Sequence, residues 1–325
     1  MSSRGSLEEA LELKRSGRLD EAVIALESAL ARSPENAVAL AHLAEVQLRR
    51  RRLADAADAL ERAESLAGTT AFTARVRGDL RYRERRWRDA ARCYADADAL
   101  GDRGTWSLVQ RARCHLRLGE MEAARGAASR AAERDGAEAS AWVVLGEVAL
   151  REGREDDAVH LFEQAHERAP GDEFAYAKLI EARVLRLPPE DREREVEVLL
   201  RSHDGGNRHL MGVLAKLRSD GGDDRLAAET WGARRKLHGD PYARKMEAYA
   251  LRKAGDVERA AALFRVCLLA DPEDLILFRT YVHLQRSRGA LDELRSTLEE
   301  LVPLAGGRRG AVYGELRKLG PAAGE

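Results

Sequence analysis

The chain has 325 residues, of which 44% are hydrophobic, 34% are charged and only 5% are aromatic. This balance favours close-packed helices with solvated outer faces and predicts an all-α protein. The formal net charge of −1 argues against a chain that coats nucleic acid or anionic membranes non-specifically, although cations can still gather on one face.

The sequence predicts neither export nor membrane insertion. Its N-terminus, MSSRGSLEEALELKRSG, has no apolar core of a signal peptide, and no stretch approaches 18 consecutive apolar residues. Cys93, Cys114 and Cys267 lack CxxC spacing and fall within helical patterns, which predicts buried, reduced thiols. We therefore expect a cytoplasmic protein, and the strong preference for arginine over lysine is typical of GC-rich bacterial genes.

Small residues recur every 34 positions from the N-terminus onwards. They form three columns: Ala22, Ala56, Ala90, Ala124, Ala158 and Ala260; Ala10, Ala44, Gly78, Ala112, Gly146 and Ala248; and Ala29, Ala63, Ala97, Ala131, Ala165 and Ala233, with Cys267 in the third. Two helices that cross closely need small side chains at the crossing, so each column predicts one helix contact.

Glycine and proline predict where the helices end. One glycine column marks the turn within each repeat: Gly17, Gly119, Gly153, Gly221, Gly255 and Gly289. Pro34, Pro170 and Pro272 follow the second helix of their repeats. Each repeat is thus predicted to be a helix, a glycine turn, a second helix and a break.

The fifth repeat carries the most complete motif, which consists of Trp142-x2-Leu145-Gly146, Ala158-x3-Phe162, Ala165 and Pro170. This motif resembles the tetratricopeptide repeat family, with Ala149 in place of the family's tyrosine. The resemblance implies a right-handed α-solenoid of about nine helical hairpins with a C-terminal capping helix. It also implies a protein-interaction scaffold rather than an enzyme.

In chain order, residues 3–172 form repeats one to five, 173–240 two degenerate repeats, 241–308 repeats eight and nine, 309–320 a capping helix, and 321–325 a disordered tail. In the sixth repeat Leu187-Pro188-Pro189 replaces the glycine turn and Arg192 occupies the alanine position, and in the seventh Leu226 does so. These departures are either a packing variant or a bend at 187–189.

No motif predicts catalysis, a cofactor or a metal site. Phosphate-binding loops, HExxH, GxSxG and dinucleotide fingerprints are missing from the sequence. Cys114 and His115 are adjacent, but neighbours on a helix diverge by about 100°, so a packed cysteine is the better interpretation than a nucleophile with its base.

The resemblance places ligand contacts on the first helix of each repeat, which lines the concave face. One position there holds Arg15, Arg49, Arg83, Arg117, Arg151 and Lys253. Acids four residues earlier, Glu45, Asp79 and Glu147, offer a structural explanation for three of these arginines. A first aromatic and basic patch comprises Phe72, Arg75, Tyr82, Arg83, Trp106, Arg113 and Arg117.

A second patch on the same predicted face comprises Tyr242, Lys245, Tyr249, Arg252, Lys253, Arg279, His283 and Arg286. None of these positions holds an acid, so the cations should repel one another and favour an acidic partner. The family's carboxylate clamp is not expected, because the only asparagines, Asn36 and Asn207, lie outside the clamp positions.

Three functions remain open. The first is a scaffold that binds an acidic peptide or protein surface. The second is nucleic-acid binding through Arg49–Arg52 and Arg81–Arg88, with Tyr82 and Trp87 stacking on bases. The third is a non-catalytic subunit of an enzyme or secretion complex, and homo-oligomerisation is compatible with each.

Overall fold

The computed structural model describes residues 3–202 and 206–320, and within these ranges the regular structure is entirely helical. The helices are α1 Ser3–Arg15, α2 Leu19–Arg32, α3 Ala37–Arg49, α4 Leu53–Ala67, α5 Ala71–Arg83, α6 Trp87–Ala99, α7 Trp106–Leu118, α8 Met121–Arg134, α9 Ala139–Arg151, α10 Glu155–Arg168, α11 Glu173–Leu185, α12 Pro189–Ser202, α13 Arg208–Asp220, α14 Asp224–His238, α15 Pro241–Lys253, α16 Val257–Ala270, α17 Leu275–Ser287, α18 Leu291–Leu301 and α19 Arg309–Lys318, with a 3-10 turn at Gly306–Arg308. Helices α1 to α18 form nine hairpins, so the predicted all-α repeat fold is confirmed.

The chain divides into two compact units, Met1–Leu179 and Ile180–Glu325, and the boundary lies inside α11. Each unit has its own apolar core. The predicted bend at 187–189 stays a prediction, and the predicted disordered tail at 321–325 lies outside the described residues.

The alanine columns are buried where the hairpin helices meet. Every alanine of the first column is at most 1% exposed. Larger side chains complete the contact from the second helices, and Leu26, Tyr94, Phe162 and Phe264 are among the largest fully buried ones. The predicted helix contacts are therefore present at these positions.

Two hairpins seat an aromatic ring directly on a glycine. A Cβ atom added to Gly78 would lie 2.6 Å from Cε1 of Tyr94, and one added to Gly146 would lie 2.6 Å from Cε1 of Phe162. The same two slots hold Ala10 with Leu26 in the first hairpin and Ala44 with Leu60 in the second. In these two hairpins the aromatic ring occupies the space that a methyl group on the first helix would fill. The eighth hairpin holds Ala248 with Phe264 in the same slots.

The turn column favours glycine because its backbone is left-handed. Gly17, Gly119, Gly153, Gly255 and Gly289 have φ between 70° and 84°. The second and third hairpins hold Arg51 and Arg85 there, with φ of 62° and 60°, and both side chains are exposed. A residue with a Cβ atom pays about 1–2 kcal/mol for this conformation.

In the sixth hairpin, Arg192 has a specific role at the alanine position. Its Nε donates to the Leu187 carbonyl oxygen at 2.9 Å and its Nη2 to that of Leu185 at 2.7 Å. The side chain therefore satisfies carbonyls at the C-terminal end of α11, where the proline turn provides no N–H at 188 or 189.

In the seventh hairpin the structure differs from the predicted columns at two positions. Gly221 has φ of −75° and the left-handed residue is Gly222, so α14 begins one residue later than the 34-residue spacing predicts. Ala227 is consequently the fully buried alanine, whereas Leu226 is 38% exposed. The same shift leaves Ala233 exposed, so its assignment to the third column was wrong.

At the C-terminal end, α19 packs on the core that contains α18. Val312 is buried, and Leu316 and Leu319 pack against the same cluster. No helix in the described part of the chain has the length and apolar character to cross a membrane.

The glycine under Phe162 can be tested by a double-mutant cycle. Gly146→Ala should lower the free energy of unfolding by about 1–3 kcal/mol, because the new methyl group overlaps the ring. Adding Phe162→Leu should recover part of this loss, since the smaller side chain leaves room for the methyl group. Urea unfolding followed by circular dichroism measures both effects, and equal losses with either residue at 162 would contradict the steric account.

Replacing Arg51 or Arg85, which have left-handed backbone conformations, by glycine should stabilise the protein. Arg51→Gly and Arg85→Gly should each raise the free energy of unfolding by about 0.5–1 kcal/mol, because relief of the backbone strain exceeds the extra entropy lost by glycine. Thermal unfolding measures the effect. Gly153→Ala is the matched reverse change and should lower the midpoint.

Candidate functional site

A polar ladder connects the first helices of the first four hairpins. Lys14 Nζ lies 2.6 Å from Glu45 Oε2, and Arg75 lies between two acids, 3.1 Å from Glu45 Oε1 and 3.5 Å from Asp79 Oδ2. Trp106 Nε1 donates to Asp79 Oδ1 at 3.2 Å. This ladder consists of Lys14, Glu45, Arg75, Asp79 and Trp106. Apart from Arg75 and Asp79, which lie on the same helix, its partners are about one repeat apart in the sequence.

The two acids of the ladder have oppositely shifted pKa values. Burial by itself would raise the pKa of Glu45, but hydrogen bonds from His42 and Lys14, with the charges of Lys14 and Arg75, hold it well below its usual range. Burial raises the pKa of Asp79 despite hydrogen bonds from Tyr94 and Trp106. The ionised form of Glu45 is therefore stabilised by its surroundings, whereas that of Asp79 is destabilised by burial. Asp79 nevertheless orients Trp106 through a hydrogen bond.

Several residues of the first predicted patch make contacts within the protein. Phe72 packs against His42 with ring centroids 4.7 Å apart, and the guanidinium carbon of Arg75 lies 4.9 Å from the centroid of the Phe72 ring. Tyr82 packs edge-on against Trp87 at 4.8 Å. These side chains shape the surface but are already engaged in packing.

The remaining arginines of that patch have no counter-charge. Among the described residues, Arg83, Arg113 and Arg117 make no hydrogen bond or ion pair through their side chains. Arg83 and Arg117 are exposed, whereas Arg113 is half-buried. A half-buried guanidinium without an acceptor is unfavourable, because water no longer fully solvates its donors.

Arg113 also reverses the charge of its column. The equivalent positions in the second, third, fifth and sixth repeats hold Glu45, Asp79, Glu147 and Glu181. Glu147 pairs with Lys178 at 3.2 Å and Glu181 with Lys216 at 2.7 Å, each pair within a single unit. The cation at 113 therefore stands where neighbouring repeats place an internally paired acid.

The proposed pairing of the basic stripe with acids four residues earlier is wrong. Glu45 and Glu147 pair instead with cations of adjacent first helices, and Asp79 pairs with Arg75, four residues before it, and accepts from Trp106. Arg49 donates instead to the Lys14 carbonyl oxygen at 2.8 Å, and Arg151 donates to the Leu116 carbonyl oxygen. These two arginines thus cap the end of the preceding first helix.

Exposed apolar side chains recur at one position of the repeat in both units. In the first unit Val38 is 57%, Trp106 51% and Phe174 36% exposed, and in the second unit Tyr242 is 56% and Ile276 50% exposed. Only Trp106 and Tyr242 were predicted as site residues. The other three share their position in the repeat, which is the signal that could have identified them.

The second predicted patch is largely neutralised by acids from outside it. Lys245 pairs with Asp274, Lys253 lies 3.7 Å from Asp224, and Arg286 lies 2.8 Å from Glu315. The predicted mutual repulsion of these cations is therefore wrong, because it considered only the residues of the first helices.

The rest of the second patch combines packed aromatic rings with free cations. Tyr242 packs edge-on against Trp231 with ring centroids 5.8 Å apart, and Tyr249 packs edge-on against Phe264 at 4.9 Å. The guanidinium carbon of Arg252 lies 5.6 Å from the centroid of the Tyr249 ring. Arg279 and His283 are exposed and have no partner among the described residues.

Comparison with known proteins identifies the family. Two models described as tetratricopeptide repeat match residues 13–70 and 109–173. The chain is a tetratricopeptide repeat protein. A tetratricopeptide repeat protein from Parabacteroides merdae ATCC 43184 is 15% identical in sequence, with 77% of this chain and 98% of that chain covered and a TM-score of 0.61.

A second solved structure, from a functional characterisation of Pseudomonas aeruginosa PilF, is 14% identical, with 74% of this chain and 94% of that chain covered and a TM-score of 0.50. At these identities the two structures support the fold alone. The comparison with curated proteins found no match.

In this tetratricopeptide repeat protein, many of the arginines proposed to bind nucleic acid are paired with acids. Arg50 lies 2.7 Å from Asp20, Arg81 lies 2.7 Å from Glu84, and Arg86 lies 2.7 Å from Asp89. The proposed stacking residue Trp87 packs against Tyr82. These contacts leave fewer cations and aromatic faces available for a polyanion.

Cys114 does not have the properties of a nucleophile. Its side chain is fully buried, and burial raises the pKa of its thiol to about 12. His115 places Nδ1 2.6 Å from Glu120 Oε2. Within residues 3–202 and 206–320, no group of three or more His, Cys, Asp or Glu side chains could hold a metal ion.

Removing the charge of Glu45 from the ladder should destabilise the protein by an amount that depends on pH. Glu45→Gln should lower the free energy of unfolding by about 1–3 kcal/mol at pH 7, because Lys14 and Arg75 lose their shared counter-charge. Since the folded-state pKa of Glu45 is depressed, its contribution is complete above its unfolded pKa of about 4.3 and is lost as the pH falls through the folded value.

Urea unfolding of both proteins at pH 7 and pH 3 measures this prediction. The stability difference should narrow at pH 3. Glu61→Gln removes an exposed acid of α4 that has no partner among the described residues, and serves as the control. A difference that stays constant with pH would contradict the assignment of Glu45.

Proposed function

We propose that this tetratricopeptide repeat protein is an interaction scaffold whose first unit binds an acidic peptide segment through its first helices. The observation that carries the proposal is the set of three arginines, Arg83, Arg113 and Arg117, without a counter-charge among the described residues. Trp106 lies on the same helix as two of them and is 51% exposed. Cations and an aromatic anchor therefore occur together.

The chemistry of these groups favours a carboxylate ligand. A guanidinium binds a carboxylate through two parallel charge-assisted hydrogen bonds, which supply both affinity and orientation. For the half-buried Arg113, such a ligand would also provide the acceptor that the protein does not. An apolar side chain of the partner on Trp106 would bury area that is exposed in the free protein.

The surrounding ladder supports selectivity for acidic partners. Glu45 and Asp79 are engaged by Lys14 and Arg75, so their charges are largely compensated within the protein. Arg113 and Arg117 therefore present positive charge beside acids that are already paired. A basic peptide would meet these uncompensated arginines and be disfavoured by like-charge repulsion.

The second unit offers a smaller surface of the same chemistry. Tyr242 and Ile276 are exposed apolar side chains at equivalent positions of adjacent repeats. Arg252, Arg279 and His283 have no acid partner among the described residues there. We propose this surface as a weaker binding site, because its other cations are neutralised internally.

A peptide selection tests the function without assuming a sequence. Random twelve-residue peptides selected on the immobilised full chain at physiological salt should be enriched in Asp and Glu and depleted in Lys and Arg. Selection on Arg113→Glu/Arg117→Glu should lose this enrichment, because the variant changes the local charge by four units. Unchanged circular dichroism would show that the fold is retained.

The matched control is Arg62→Glu/Arg92→Glu, which makes the same charge change on the second helices α4 and α6. Both arginines are exposed and have no side-chain partner in the described structure. This control should still select acidic peptides. Equal loss in both double variants would show a general effect of net charge and overturn the assignment to the first helices.

A further inference from the structure

The side chains of Trp106, Arg113 and Arg117 lie in one line along α7. An α-helix turns by about 100° per residue, so separations of seven and eleven residues return to within about 20° of the starting direction. With a rise of about 1.5 Å per residue, the Trp106 position lies about 10.5 Å from that of Arg113, and Arg113 about 6 Å from Arg117. We call these three residues the α7 stripe.

Regular extended peptides match these spacings poorly. In a β-strand, side chains on one side repeat about every 6.6 Å, so an interval of about 10.5 Å falls between one step and two. In a polyproline II helix they repeat about every 9.3 Å, which fits the longer interval of the stripe but not the shorter one. Neither conformation places three side chains on one side at both intervals.

An α-helix laid along α7 has the same rise and the same angular period as the stripe. An apolar residue with acids seven and eleven positions away would therefore present all three side chains towards Trp106, Arg113 and Arg117. The two acids are four residues apart and repel each other in a free helix. Pairing with the two arginines removes that repulsion on binding.

Trp106 is positioned for such a contact before any ligand binds. Its indole N–H donates to Asp79, whose carboxylate also accepts from Tyr94 Oη at 2.8 Å and lies beside Arg75. The ring is thus fixed by groups on α5 and α6, while about half of its surface is exposed. Pre-orientation of this kind lowers the entropy lost when an anchor residue is buried.

We infer that the α7 stripe recognises an amphipathic helix of a partner protein, in which one apolar residue lies seven and eleven positions from two carboxylates on the same face. This inference rests on the proposed function and adds the conformation and register of the ligand. Arg83 occupies the position of Arg117 in the preceding repeat and can meet a further acid at the side of the same helix.

Four fluorescein-labelled, alanine-rich peptides of twenty residues test the register. The first carries leucine at position 5 and glutamates at 12 and 16, and the second has the reverse order. The third keeps the same composition with leucine at 5 and glutamates at 10 and 14, on the opposite face. The fourth is the first peptide with proline at position 9, which breaks the helix.

We expect the first or second peptide to bind the full chain, at physiological salt, about tenfold more tightly than the third and fourth by fluorescence anisotropy. Trp106→Ala and Arg113→Ala should each weaken the preferred peptide about tenfold, and Arg117→Ala about threefold. Arg62→Ala and Arg92→Ala should leave its affinity unchanged.

Two results would overturn the inference and are distinguishable from failure of the proposed function. If all four peptides bind equally and Arg113→Glu/Arg117→Glu removes binding, the helical register is wrong and acidic-peptide binding stands. If none of the peptides binds, the register is wrong as well, and the random selection described above decides the proposed function separately.

Discussion

The close crossing of neighbouring helices at small side chains is the constraint on which this structure depends. An alanine or glycine every 34 residues lets two backbones approach, and a leucine or aromatic ring from the facing helix fills the space beside them. Within each unit the hairpins bury their apolar sides against one another in this way, so the cores of the described residues form by contact between helices. The first-helix positions that lie outside these contacts are exposed or half-buried, and charge can vary there without loss of packing.

The candidate site lies at first-helix positions where charge can vary without loss of packing. In the second, fifth and sixth repeats a first-helix acid is paired with a base from an adjacent repeat, so these charges are neutralised by contacts between hairpins. The fourth repeat places Arg113 at the position of the acid, and Arg113 and Arg117 have no partner among the described residues. The local excess of positive charge is therefore a property of one repeat rather than of the composition, whose formal net charge is only −1.

Departures from the repeat show how the packing tolerates irregular sequence. Arg192 replaces an alanine in the sixth hairpin and is accommodated because its guanidinium satisfies carbonyls at the end of α11. In the seventh hairpin the left-handed glycine lies one residue later, and α14 shifts with it so that Ala227 is buried instead of the residue at the regular spacing. Burial of a small side chain is thus preserved in the seventh hairpin although strict periodicity is lost there.

The sequence by itself determined the fold class, the nine hairpins and the buried alanine columns, because these follow from short-range periodicity and from glycine and proline at helix ends. It also identified Trp106, Arg113 and Arg117 as candidates. Only the tertiary structure decided which charges are paired. Glu45 and Glu147 bind cations from other helices, and Asp79 binds Arg75 before it on α5 and Trp106 on α7, so none of the three pairs with the arginine four residues later. For the same reason the second patch was predicted to be more basic than it is. Its cations are paired with Asp274, Asp224 and Glu315, which come close only when the chain folds, so the spacing of residues along the sequence does not indicate these pairs.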